Sequence, residues 1–98
     1  MNARITATAQ STPDNVMTNF DLEKLVDTSD EWIQSRTGIV QRHVVTDDEA
    51  SSDISTRIAQ SLIEQRGISS NEIDLIIVGT VTPDHLTPST AALVQKNI

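Results

Sequence analysis

Thr28, Trp32 and Arg36 stand four residues apart in the segment Asp27-Thr28-Ser29-Asp30-Glu31-Trp32-Ile33-Gln34-Ser35-Arg36-Thr37-Gly38-Ile39. Trp32 is the one Trp of a 98-residue chain that has one Phe and no Tyr. On a helix, side chains at this spacing lie on one face, a turn apart. A hydroxyl, an indole and a guanidinium in a row suit a nucleotide. The hydroxyl bonds a base edge, the indole stacks on the base, and the forked guanidinium neutralises phosphate. Plainer roles stand beside this one. A lone Trp on a helix commonly packs in a core. Arg36 has Glu31 near it for a surface ion pair worth under about 1 kcal/mol. Thr28 suits a helix cap, and its hydroxyl has enough donor and acceptor capacity to cap and to bind.

The elements that must carry this row follow from local chemistry. Ala3 to Ala9 alternates small and β-branched residues and reads as a first strand. Ser11-Thr12-Pro13-Asp14-Asn15 is turn chemistry. Thr18 or Asn19 caps a short helix with Phe20, Leu22, Leu25 and Val26 as its apolar positions. Thr28-Ser29-Asp30-Glu31 has the capping-box pattern, so a second helix is expected to start there and to end at Gly38. Ile39 to Thr46 reads as extended, and Asp47-Asp48-Glu49 as a solvated loop. Ser51-Ser52-Asp53 opens a longer helix whose apolar set, Ile54, Ile58, Ala59, Leu62 and Ile63, falls on one face before Gly67. Ser69 to Glu72 suits a brief helical turn. Leu75-Ile76-Ile77-Val78 is an unbroken apolar run, as in a parallel strand covered on both faces. Gly79 to Pro88 is a loop, and Ser89 caps a last helix that reaches Ile98.

Strand, two short helices, strand, helix, buried strand, helix is an α/β order. A strand covered on both faces needs flanking strands and two helical layers. This chain supplies few of either, so the pattern fits the N-terminal piece of a larger α/β fold better than a self-sufficient domain. An apolar fraction of 37% with two aromatics is also lean for an independent core.

Composition narrows the partners. Seven basic against fourteen acidic residues give a net charge of −7. Such a surface repels polyanions, and no basic cluster offsets it, so nucleic-acid binding is not expected. No apolar run approaches the roughly 20 residues of a membrane helix. The N-terminus lacks the basic-then-apolar layout of a signal peptide, which points to the cytoplasm. The absence of Cys removes thiolate metal sites and cysteine nucleophiles. Asp47-Asp48-Glu49 lacks a metal-ligand pattern.

The run Thr18-Asn19-x-Asp21-Leu22-Glu23-Lys24-x-Val26-Asp27-Thr28-Ser29-Asp30-Glu31-Trp32-Ile33-x-x-Arg36-Thr37-Gly38-Ile39-x-x-Arg42-His43 resembles the N-terminal signature of the β-ketoacyl-acyl-carrier-protein synthase III family. Asp74 to Val78 and the loop Pro83-Asp84-His85 to Pro88-Ser89 are similar to that family as well, so the likeness runs from about Ala3 to Ile98. The resemblance implies a thiolase fold, a five-layer αβαβα sandwich of two similar halves, in a homodimer. Residues 1–98 would be its N-terminal portion, ending before the catalytic cysteine. It implies condensation of a primer acyl-CoA, usually acetyl-CoA, with malonyl-acyl carrier protein, at the start of type II fatty acid synthesis. Acyl-CoA enters as substrate, and no cofactor is covalently bound. The family's nucleophilic Cys and its His and Asn have no counterpart here. His43 and His85 do not match that His, so the chain alone is expected to be inactive.

What the resemblance carries over is the nucleotide end of the CoA site. Thr28 matches a position that bonds the adenine edge, Trp32 the indole that stacks on adenine, and Arg36 an arginine near the phosphates. Thr87 matches a position that shapes the acyl pocket at the dimer contact. In some relatives that residue is a large aromatic, so Thr87 implies room for longer or branched primers. Two alternatives remain: a related condensing enzyme of secondary metabolism, and a non-catalytic interaction module that pairs with a separate chain.

Overall fold

The computed structural model describes residues 2–98, which fall into two compact units. One unit is Thr12–Asp48; the other joins the residues up to Ser11 with Glu49–Ile98.

In the Thr12–Asp48 unit, β1 (Val16–Thr18) runs antiparallel to β2 (Gln41–His43), with Val16 opposite His43 and Thr18 opposite Gln41. Between them lie α1 (Asn19–Glu23) and α2 (Asp30–Thr37). Thr18 caps α1 as expected, in a reciprocal capping box with Asp21. That pairing, with Thr18 as the main partner, also holds the Asp21 carboxyl below its ordinary range. The helix is shorter than its apolar positions suggest. It ends at Glu23, and Leu25 and Val26 lie beyond it, exposed. β1 was not expected: three residues are too few for an alternation to show, and its partner lies across two helices.

The α2 start also departs from the pattern. The cap is Ser29, not Thr28: Ser29 Oγ accepts from the Trp32 N–H at 3.1 Å, and helical backbone begins at Asp30. Ser29 wins because the hydroxyl three residues before Trp32 is the one that reaches its N–H. Gly38 closes the helix in the left-handed region, at φ 71°, as a C-terminal glycine should.

In the other unit, α3 (Ser51–Arg66) packs on α4 (Thr90–Asn97). Val94, only 2% exposed, is the most deeply buried apolar side chain there. Gly67 ends α3 at φ 62°, a single 3₁₀ turn covers Ser70–Glu72, and Ser89 Oγ caps α4 through the Ala92 N–H. The strands expected at Ala3–Ala9 and Leu75–Val78 enter no ladder; β1–β2 is the one sheet among the described residues. Leu75 and Ile77 are 74% and 83% exposed rather than covered on both faces. A strand is completed by the backbone beside it, and no described segment of this chain pairs with these two. All four residues of Leu75–Val78 border an apolar groove of about 510 Å³ with Ile58, Leu62, Val94 and Ile98, and Ile76 and Val78 are the less exposed of the four.

Candidate functional site

The local order of α2 decides where its chemistry points. Ile33 turns inward and is buried, while Trp32 stays 57% exposed. Arg36 follows one turn later, with its guanidinium carbon 5.8 Å from the indole centroid, at the edge of cation–π range. Thr28 stands just before the helix and does not continue its face. It meets Trp32 through the chain turn instead: Asp27, Thr28, Ser29 and Trp32 together line a cleft of about 330 Å³. The row of three therefore becomes two linked placements, Thr28 and Trp32 lining one cleft and Arg36 at the edge of cation–π range from the indole.

Both ends of α2 are held by side chains far away in sequence. Asp30 N–H donates to Glu23 Oε1 at 2.6 Å, which satisfies the first free donor of the helix. Asn19 is fully buried. Its Nδ2 donates to Asp30 Oδ1 at 2.8 Å and to the Ile39 carbonyl at 2.7 Å. Its Oδ1 accepts from Arg42 Nη2 at 2.6 Å, and Arg42 Nη1 also reaches the Met17 carbonyl. Gln34 Nε2 donates to both Asp30 oxygens. The amides of Gln34 first, and Asn19 second, hold the Asp30 carboxyl below its ordinary range. Two carboxylates in the first turn, Asp30 and Glu31, suit the positive end of the helix dipole. Among the described residues, the cation set against the indole is Arg36, in the last turn.

Thr87 lies in the other unit, exposed in the loop before α4, and its bond to Pro88 is cis. That loop is pinned to the start of α3. Asp84 accepts from the Ser52 N–H at 2.9 Å and from the Ser52 hydroxyl, and Ser51 Oγ donates to the Thr82 carbonyl at 2.7 Å. The N-cap of α3 is Ala50, which has no side-chain acceptor; of the expected Ser51-Ser52-Asp53 cap, Asp53 Oδ2 reaches back to accept the Ala50 N–H at 2.9 Å. Asp84 supplies the acceptor from across the unit. Its carboxyl is held low chiefly by the Ser52 hydroxyl, against a smaller opposing effect of burial. His85, next to it, is exposed.

Asn19 and Asp84 are the residues that sequence reasoning missed in this role. Asn19 finds its partners 11, 20 and 23 positions away, and Asp84 finds Ser52 32 positions away. Local spacing carries no trace of such pairs.

No protein-family model matches the chain. Curated proteins do. The β-ketoacyl-[acyl-carrier-protein] synthase III of Chlorobium phaeovibrioides is 55% identical over 99 residues, covering 100% of this chain and 30% of that protein. Among solved structures, the β-ketoacyl-[acyl carrier protein] synthase III of Thermus thermophilus superposes with a TM-score of 0.86 at 45% identity, over 96% of this chain and 29% of that one. The priming β-ketosynthase of the R1128 polyketide pathway shares the fold alone, with a TM-score of 0.83 at 24% identity over 99% of this chain and 32% of that one.

The fold these likenesses define is that of the thiolase-fold condensing enzymes, of which the chain shows a partial α/β portion. Within that class, its sequence is homologous along its whole length to β-ketoacyl-[acyl-carrier-protein] synthase III. The chain spans about 30% of the length of the curated relatives it matches. No helix among the described residues is long and apolar enough to cross a membrane.

Proposed function

We propose that this chain forms the CoA-entrance portion of a β-ketoacyl-acyl-carrier-protein synthase III. The single observation that carries the reading is the exposed indole of Trp32, walling a cleft with Thr28 and carrying the Arg36 guanidinium 5.8 Å from its centroid. In this reading the adenine of an acyl-CoA enters the cleft and lies against Trp32. Such stacking contributes about 1–3 kcal/mol per base. Thr28 Oγ1 bonds the base edge, and Arg36 offers paired N–H donors to the phosphates. Its charge is local relief in a chain of net charge −7.

The complete enzyme would condense the acyl-CoA with malonyl-acyl carrier protein as a cytoplasmic homodimer. Acyl transfer to a Cys precedes decarboxylative condensation, with an oxyanion hole stabilising the tetrahedral states. Those groups come from outside residues 1–98, since the chain has no Cys, and the chain alone is inactive. In this account Thr87 borders the acyl pocket near the dimer contact and leaves it roomier than a large aromatic would.

Quenching of Trp32 fluorescence by CoA tests the reading. A complete enzyme that carries this segment shows saturable quenching, and loses affinity on Arg36→Ala. CoA binding that is indifferent to both Trp32→Ala and Arg36→Ala contradicts it.

A further inference from the structure

The geometry points to Asn19 as a positioning residue for the nucleotide-binding wall: one buried amide sets the placement of α2 and, through it, of Trp32 and Arg36. The inference rests on the reading of those two side chains as CoA contacts. Asn19 touches no part of the cleft, whose lining is Asp27, Thr28, Ser29 and Trp32. Its effect on a ligand must pass through the helix.

The hydrogen bonds show how. An Asn side chain has two donors and one carbonyl acceptor. Both donors are spent on α2, one at its first residue, Asp30, and one at Ile39, just past its glycine cap. The acceptor is spent on Arg42, which stands in β2. The Asn19 backbone N–H adds a bond to the Val40 carbonyl at 3.1 Å. One residue thus ties the entry of α2, its exit and the sheet to a single point. Trp32 follows the entry anchor by two residues, so a shift of Asp30 moves the indole directly.

Burial makes the arrangement stringent. Because Asn19 is closed to solvent, removing the amide leaves the Ile39 carbonyl, one Asp30 oxygen contact and an Arg42 donor without that partner. The helix must then move, or admit water, to satisfy them. Trp32 loses its fixed relation to Arg36 and to the Thr28 side of the cleft. A purely structural Asn19 would lower stability and leave the indole's surroundings unchanged in the molecules that stay folded.

The sole tryptophan makes the difference measurable. The experiment compares the unsubstituted chain, Asn19→Ala and Thr18→Ala by near-UV circular dichroism and acrylamide quenching of Trp32. Thr18→Ala removes the α1 cap, which has no contact with α2 in the bonds that Thr18 makes. Asn19→Ala loses most of the near-UV band and becomes more quenchable, while far-UV helicity is retained and Thr18→Ala keeps both indole signals. An unchanged indole signature in folded Asn19→Ala overturns the inference, as does an equal change in Thr18→Ala. If Asn19→Ala does not fold, Arg42→Gln decides. It removes only the guanidinium side of the hub, and a partial loss of the band supports the inference, whereas an unaltered band refutes it. CoA titration of a complete enzyme carrying this segment reports separately. A hub that controls the indole, in a segment whose Trp32 ignores CoA even within the complete enzyme, leaves the positioning intact and removes the ligand reading.

Discussion

Replacing Asp84 by Ala tests how the loop that carries Thr87 is held. Asp84 accepts the Ser52 backbone N–H at 2.9 Å and the Ser52 hydroxyl, and Ser52 is only 6% exposed. The N–H belongs to the first turn of α3, where the Ala50 cap offers no side-chain acceptor. A hydrogen bond to a charged group contributes about 1.5–3 kcal/mol net, and a missing cap costs about 0.5–2 kcal/mol. These are two descriptions of overlapping contacts, so they do not add, and the partly exposed carboxylate lets water replace part of the loss. About 2 kcal/mol is the resulting expectation, roughly a 30-fold shift in the folding equilibrium.

Urea unfolding at neutral pH, followed by far-UV circular dichroism, measures it. Asp84→Asn keeps one carbonyl acceptor and falls between parent and Ala. The sign with pH is fixed by the lowered carboxyl: its contribution is complete above the unfolded-state value of about 3.9 and disappears as pH falls through the folded value. The gap between parent and Asp84→Ala therefore closes in acid. Equal urea midpoints at neutral pH, or a gap that persists in acid, would refute the reasoning.

Two other outcomes follow from exposed positions. Thr87 in place of a large aromatic predicts that a complete enzyme with this segment turns over primers longer than acetyl-CoA, and that Thr87→Phe narrows its range. Turnover of acetyl-CoA alone among C2 to C8 primers contradicts that. The unpaired backbone at Leu75–Val78, with Leu75 and Ile77 turned outward, predicts concentration-dependent self-association of the isolated chain in sedimentation experiments. A monodisperse monomer with a sharp, reversible thermal transition counts against it.

Much of the local structure was legible because its causes are local. Gly38 and Gly67 mark helix ends through a conformation that glycine adopts freely. Thr18 and Ser89 reach the backbone N–H groups three residues on. The apolar stripe of α3 appears in the Ile54-to-Ile63 spacing, and the signature across Thr18–His43 drew attention to Thr28, Trp32 and Arg36, which the structure places along and just before α2. The failures are instructive in the same terms. Leu75-Ile76-Ile77-Val78 has the composition of a strand, but a strand is a relation between segments, and no described segment pairs with it. Thr28 and Ser29 are equally good caps on paper, and only the geometry of the turn chooses Ser29. Moving the cap by one residue takes Thr28 off the helical face and makes it the opposite side of a cleft. Asn19 and Asp84 hold the two places that matter most to the site and its loop, and their partners are set by folding rather than by spacing.

The central claim is that the Thr28–Trp32–Arg36 wall receives the adenine end of CoA. Its most direct test is a Trp32 fluorescence titration with CoA, in a complete enzyme carrying this segment, against the same protein with Arg36→Ala. The account predicts saturable quenching that shifts to markedly higher CoA concentration in the variant. Saturable CoA binding by an independent measure that leaves Trp32 fluorescence untouched would place the adenine elsewhere and contradict the account.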